Sequence, residues 1–355
     1  GTLRGIGSGY ASTARPVVWG SAGGTFDIVE QGHVFALPTQ ALQSAGRLTK
    51  AGLGVLRLGG NIASAEIIVQ DGTLRLAGNN LFTASPTVTI HPSAALDLDG
   101  YNVAVGGLTM LGGAVKTGAG TLTLAGNVSY QRSIWPATIE GNLNLGAASR
   151  TFDVARGAST DASGFPNDLT ITANISGVGG LVKTGSGTLI LAGTNSFSGP
   201  TSASGGVLRF SGFGAVSGGS TITVSAGGYA GLATASATEF ANFLARFNKT
   251  NSRGVIGLDG ILAAGTISLA GFHDDVRVGS STAGLIPVGS TFTPQGMQYR
   301  LGGGGGTLTV AASLGGNRFL DVGTSGSLPA GTVVLSGANT YTGLTTVTAG
   351  VLKLG

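Results

Sequence analysis

The chain has 355 residues, 66 of them glycine, with 10% charged residues, 6% aromatic residues and a formal net charge of +4. It has no cysteine, which excludes disulfides and thiolate metal sites. Glycine keeps no period of three and Leu, Ile and Val recur in ordered alternation, so collagen and a disordered Gly-rich linker are both excluded, and so thin a positive charge does not nominate nucleic acid as a partner.

The opening "GTLRGIGSGY" has neither a charged leader nor an apolar run. "GGTFDIVEQG" (23–32) returns as "SRTFDVARG" (149–157), a coarse repeat. "LTKAGLGVLRLGGN" (48–61) places Leu56 and Leu58 at period two, which predicts a strand with one buried face. The same pair returns as Leu74 and Leu76, Leu122 and Leu124, Leu143 and Leu145, Leu189 and Leu191, and Leu352 and Leu354. Two of these lie in near copies of one phrase, "AVKTGAGTLTLAGN" (114–127) and "LVKTGSGTLILAGTNSFSGPT" (181–201). In "SATEFANFLARFNKTNS" (236–252), Phe240, Phe243, Leu244 and Phe247 fall at i, i+3, i+4 and i+7 behind a Ser236/Glu239 capping box, which predicts an amphipathic helix. "GVIGLDGILAAGTISLAG" is the most apolar window, but Asp259 and its many glycines exclude a membrane span. "LGGGGGTL" (301–308) lacks the Gly-Lys-Ser/Thr ending of a phosphate loop and reads as a tight corner.

Leu56 to Leu74, Leu189 to Leu208 and Leu335 to Leu354 are spaced close to the roughly 20-residue coil of three short strands and three turns. The expected fold is therefore all-β, a right-handed parallel β-helix of about 15 to 18 coils at about 4.8 Å spacing. Coils are expected over 1–234 and 254–355, with the helix inserted over 235–253 and laid on the side of the rod. Glycines beside each Leu pair supply corners. Asn61, Asn79, Asn127, Asn195 and Asn339 are expected to adopt left-handed turn positions and to form ladders, with Phe82, Phe197 and Tyr341 stacked nearby.

"GLVKTGSGTLILAGTNSFSGPTSASGGVLRF" (180–210) and "TVVLSGANTYTGLTTVTAGVLKLG" (332–355) resemble the autotransporter-associated β-strand repeat of bacterial passenger domains. "YRLGGGGGTLTV" and "EFANFLARFNKTNSRGVIGL" resemble wording in the very long surface proteins of that family. The resemblance spans nearly the whole chain and implies an extracellular, cell-surface β-helix serving as stalk, adhesin or matrix component. It is not specific for any reaction, and the family's C-terminal barrel is not among these residues.

Catalytic chemistry finds few candidates. His33, His91 and His273 have no metal-binding spacing, so neither a metal nor a cofactor is expected. Asp97 with Asp99 and Asp274 with Asp275 are the carboxylate pairs that a polysaccharide lyase or hydrolase, the enzyme alternative, would need. A further alternative is a segment that assists secretion by folding outside the cell. The preferred reading has no catalysis. Arg57, Arg75, Arg209 and Lys353 stand between paired apolar residues, and Lys50, Lys116 and Lys183 form a second equivalent set, so stacked coils are expected to carry basic stripes for anionic surface glycans. The helix face Phe240, Phe243, Leu244 and Phe247 is the candidate for docking a partner. Both ends read as interior phrases of the repeat, so a longer parent chain or end-to-end association is expected to cover them.

Overall fold

The computed structural model describes every residue except 8, 10, 14, 16, 18–19, 40–41 and 43–45. Nearly all of it is a parallel β-solenoid of about 16 turns with one short helix. The chain resolves into two compact units, Gly1–Thr160 with Pro166–Gly179, and Asp161–Phe165 with Gly180–Gly355.

In the first unit, one face stacks Thr2–Gly5, Gly24–Ile28, Leu48–Ala51, Glu66–Val69, Thr87–Ile90, Gly107–Met110, Val128–Tyr130 and Arg150–Val154, each parallel to the next. The two copies of the Thr-Phe-Asp phrase fall on this face and bury Phe26 and Phe152. A second face stacks Val34–Leu37, Val55–Leu58, Gly72–Leu76, Ala94–Asp97, Gly113–Leu124 and Ala137–Asn144. Leu56 pairs with Leu74 and Leu74 with Leu96, and all three are fully buried. Alternation produces this: every second side chain enters one continuous apolar column, and its neighbours face out.

The phrase shared by 48–58, 114–124 and 181–191 is threaded in two ways. In the first and third copies its halves lie on two faces, Leu48–Ala51 then Val55–Leu58, and Leu181–Thr184 then Thr188–Leu191. In the middle copy it runs as one long strand, Gly113–Leu124, whose first half pairs with Ala95–Asp97 and whose second half pairs with Val103–Val105. The inward residues of that copy are Val115 and Thr117 instead of the lysine. With a period of two, a slip of one position exchanges the inside for the outside.

The second unit repeats the arrangement. Leu181–Thr184, Thr201–Ala203 and Ile222–Val224 stack on one face. Thr188–Leu191, Gly206–Phe210, Gly228–Leu232, Val255–Leu258 and Arg277–Gly279 stack on the next. Leu189 pairs with Leu208 and Leu335 with Leu354, at the separations read from the sequence.

The helix Ala237–Ala245 starts at Ser236, whose side chain accepts the Glu239 amide at 3.2 Å. It does not lie over the side of the solenoid. The chain after it returns to the stacked face, where Phe247 bridges in parallel to Ile222. The helix therefore forms one side of a coil, between the turn Phe213–Ala215 and the strand Thr266–Ser268. Phe240, Phe243, Leu244 and Phe247 are all buried, and the Phe243 ring packs edge-on against Phe210 at 5.8 Å and Phe247 at 4.9 Å. A helix is wider than a strand, so the coil needs these large rings to fill its interior.

Corners use side-chain amides more than left-handed asparagines. Of the five expected asparagines none has a positive φ; among the described non-glycine residues that conformation falls on Asn80, Ser85 and Asp99. Instead the amide oxygen of Asn79 accepts the Asn102 N–H at 2.8 Å, and that of Asn127 accepts the Thr151 N–H at 3.0 Å. Asn339 accepts from Leu314 at 2.9 Å, and the Asn195 amide donates to Ala215 O at 2.6 Å. Each bond ties one coil to a neighbour, satisfying backbone groups that the corners leave unpaired.

The glycine run is a strap. Gly302, Gly303, Gly304 and Gly305 all have φ between 87° and 102°. A Cβ on Gly303 would come within 2.7 Å of Val255, and one on Gly304 within 2.6 Å of the Tyr229 ring. Only glycine lets the backbone lie this close over the outer side of the sheet.

Candidate functional site

Solvent-facing positions on the second face of the first unit fall in register across coils. Arg57 stands beside Arg75, Arg75 beside Asp97, Asp97 beside Lys116, and Lys116 beside Glu140. Each alternates with inward residues of its strand, leucines on both sides of Arg57, Arg75 and Asp97, so the alternation that builds the core also builds this charged column. Arg75 Nε meets Asp97 Oδ2 at 2.9 Å, while Asp97 Oδ1 accepts the Asp99 amide, also at 2.9 Å, across a turn in which Asp99 has φ 50°. An open groove of about 550 Å³ lies here, lined by Asp97, Asp99, Lys116 and Glu140 among others. Among the described residues no ion pair reaches Arg57 or Lys116.

The column differs from a basic stripe in two ways. Carboxylates alternate into it, and two of the expected cations are inside the protein. Lys50 and Lys183 are both fully buried. Lys50 Nζ donates to Ala51 O at 2.8 Å, Gly52 O at 2.7 Å and Asp71 O at 3.0 Å. Lys183 Nζ repeats the geometry with Thr184 O at 2.6 Å, Gly185 O at 2.9 Å and Gly205 O at 3.1 Å. Each ammonium gathers the carbonyls of its own corner and of the corner one coil on. Burial pushes Lys50 down to about 8, against the opposing pull of Asp27 and Asp71. In the middle copy Thr117 takes the inward role: its Oγ1 accepts the Asn142 N–H at 2.7 Å, and Lys116 is turned out to solvent.

Arg209 and Lys353 belong to the second unit. Arg209 approaches Asp161 at 3.6 Å, and Lys353 pairs with Val334 on another sheet. The expected docking face of the helix is also absent from the surface, its four apolar residues being interior. Asp275 meets Arg253 at 3.6 Å, and the Asp275 amide donates to His273 Nδ1 at 3.1 Å. His33 is buried and His91 half-buried. Among the described residues no group of three or more His, Asp or Glu could hold a metal, and no helix is long and apolar enough to cross a membrane.

A polar cluster that the sequence did not disclose sits on the outer face of the second unit. Tyr229 faces out from its strand yet is fully buried beneath the glycine strap. Its hydroxyl donates to Asp259 Oδ1 at 2.6 Å, and burial, with the Asp259 charge second, holds its pKa well above the ordinary value. Arg277 pairs with Asp321 on the same face, both largely buried. Tyr229 and Asp259 are 30 positions apart and each sits in an unremarkable repeat phrase, so only coil register could have brought them together on paper.

The passenger-associated-transport-repeat family model matches residues 115–133, 181–210 and 330–354. Over 167 residues the chain is 32% identical to the adhesin BmaC autotransporter of Brucella suis biovar 1 (strain 1330). That alignment takes in 46% of this chain and 4% of the relative, so the chain spans a small part of that protein's length. No solved structure gives a significant match. At three places along a parallel β-solenoid, then, the chain is similar to the passenger-associated-transport repeat.

Proposed function

We propose that this chain is a stretch of an extracellular, cell-surface passenger that works by adhesion and carries out no catalysis. The observation that supports it most is the charged column of the first unit, which offers the cations Arg57 and Lys116 three coils apart on an ordered sheet. Two such cations meet an extended anionic surface glycan by separate weak contacts, each screened by salt, that act together. A relative 32% identical to this chain over 167 residues is named as an adhesin, which agrees with this use. The nearest carboxylates do not favour a hydrolase, since Asp97 is occupied by Arg75 and by the Asp99 amide.

Beads coated with the purified chain and applied to an epithelial monolayer test the reading. Coated beads are expected to adhere above albumin-coated ones, less so at 0.5 M salt, and to lose at least half of their binding with Arg57→Glu and Lys116→Glu combined. Binding no better than albumin overturns the adhesive reading. Binding indifferent to salt and to both charges removes the column from it.

A further inference from the structure

Arg318, half-buried in the second unit, carries a guanidinium that no carboxylate meets among the described residues. Its side chain makes one hydrogen bond, from Nη1 to the Tyr299 hydroxyl at 3.0 Å, and its Cζ lies 5.6 Å from the centre of that ring. The support beneath it is rigid. The Tyr299 hydroxyl donates to Gly315 O at 3.1 Å and accepts the Gly315 N–H at 3.3 Å, and the ring packs against Phe292 at 5.7 Å and Tyr341 at 6.5 Å. Nε and Nη2 of Arg318 are therefore held as donors with no acceptor among the described residues.

An open groove of about 500 Å³ lies here, lined by Thr291, Thr293, Met297, Ser313, Asn317 and Arg318, among others, and by no carboxylate among the described residues. That volume is within the range of ligand sites, about 300 to 1,000 Å³. The Asn317 amide oxygen accepts the Thr342 hydroxyl at 3.3 Å, which leaves its NH2 group to donate. Thr291, Ser313 and Asn317 are exposed, and so is the Met297 thioether.

A fixed guanidinium with no opposing acid selects an anion. It balances the single charge of a carboxylate, whereas a phosphate monoester would bring a second charge with nothing in the lining to meet it. The other lining groups are hydroxyls and an amide, which pair with a polyol, and an exposed apolar side chain, which suits the C–H face of a ring. A pyranose that carries a carboxylate has all of these complements. We infer that this groove binds one carboxylate-bearing sugar residue of a surface glycan, with the carboxylate on Arg318. The inference deepens the adhesive reading and rests on it for the anionic glycan it supposes, but it uses none of the residues of the charged column.

Saturation-transfer NMR on the 355-residue chain, with D-glucuronate, N-acetylneuraminate, D-glucose and tetra-L-glutamate as separate probes, tests it. At least one of the two sugar acids is expected to receive saturation, and which one does separates a uronate polymer from a sialylated glycan as the source. Arg318→Gln is expected to weaken that binding about tenfold. Ser313→Trp, which fills the groove from an exposed position and leaves the Tyr299 contacts in place, is expected to abolish it with circular dichroism unchanged. No transfer to either sugar acid overturns the inference, as does transfer that survives Ser313→Trp, equal transfer to D-glucose, or stronger transfer to the glutamate peptide. The chain with Arg57→Glu and Lys116→Glu is expected to lose bead adhesion and keep saturation transfer, so failure of the column and failure of the groove are distinguishable.

Discussion

The Lys50 ammonium sits where three carbonyl oxygens converge, and the cost of removing it from water is offset by bonds that only a cation with three donors can make together. Lys50→Met keeps the unbranched stem and strands those carbonyls, so it is expected to destabilise by about 1–3 kcal/mol at pH 7 in urea unfolding. The pH dependence follows from the lowered pKa of about 8. Because the folded value lies below the unfolded one, the unfolded chain holds the extra proton between them, and this group's contribution to stability rises with pH from about 8 upward. At about 1.4 kcal/mol per unit, the gap between wild type and Lys50→Met should widen by about 2 kcal/mol from pH 7 to pH 9.5. The raised Tyr229 acts in the opposite sense above pH 10, which sets the upper end of the useful range. A gap that stays constant over the range would show that Lys50 keeps its proton. Nothing in the wording of the repeat distinguishes this lysine from Lys116, which is exposed. Their difference is a single step of strand phase, and phase is fixed by where the corner falls, which the shared glycines do not specify.

The helix shows which part of an element local sequence determines. Its cap, its start and its apolar face were all legible, because Ser236, Glu239 and the i, i+3, i+4, i+7 spacing act within the segment itself. Its destination was not legible. The same apolar face serves equally to clamp a sheet from outside, to dock a partner, or to fill a coil, and only the neighbouring coils decide among these. The Asp259 cluster was hidden for the same reason, since Ser281 reaches Tyr229 across 52 positions through coils of unequal length. The interior placement has a measurable consequence. Phe243→Ala empties the space between Phe210 and Phe247 and is expected to cost about 3–5 kcal/mol, while Ser236→Ala, which removes one capping bond, is expected to cost about 1 kcal/mol. Both should appear as lowered urea midpoints. A Phe243→Ala chain with unchanged stability would place the ring outside the packed interior.

At the scale of the whole molecule, the relevant unit is the coil, because each contacts mainly the one before and the one after and stability is close to a sum of such neighbours. Repetition also explains why the repeat wording identifies the fold and says little about a ligand: Leu189, Leu191, Lys183 and Asn195 in one phrase are all interior, bonded along the stack. What remains for function is whatever faces out at one register position, and that depends on coil length. Coil length can be tested directly. Thr188 pairs with Val207 and Leu189 with Leu208, so deleting residues 189–207 removes one coil and sets Leu208 in the place of Leu189. The shortened chain is expected to remain folded, with the same strand signature in circular dichroism and a lower midpoint. Deleting 190–207 instead leaves Leu208 in the outward place of Ile190 and turns Arg209 into the core position of Leu191. Burying that guanidinium without a partner costs several kcal/mol, and every later side chain of the strand is reversed with it. This chain is expected to lose cooperative unfolding and to elute as aggregate in size exclusion. Equal behaviour of the two deletions, which differ by one residue, would mean that coil register does not hold the solenoid together.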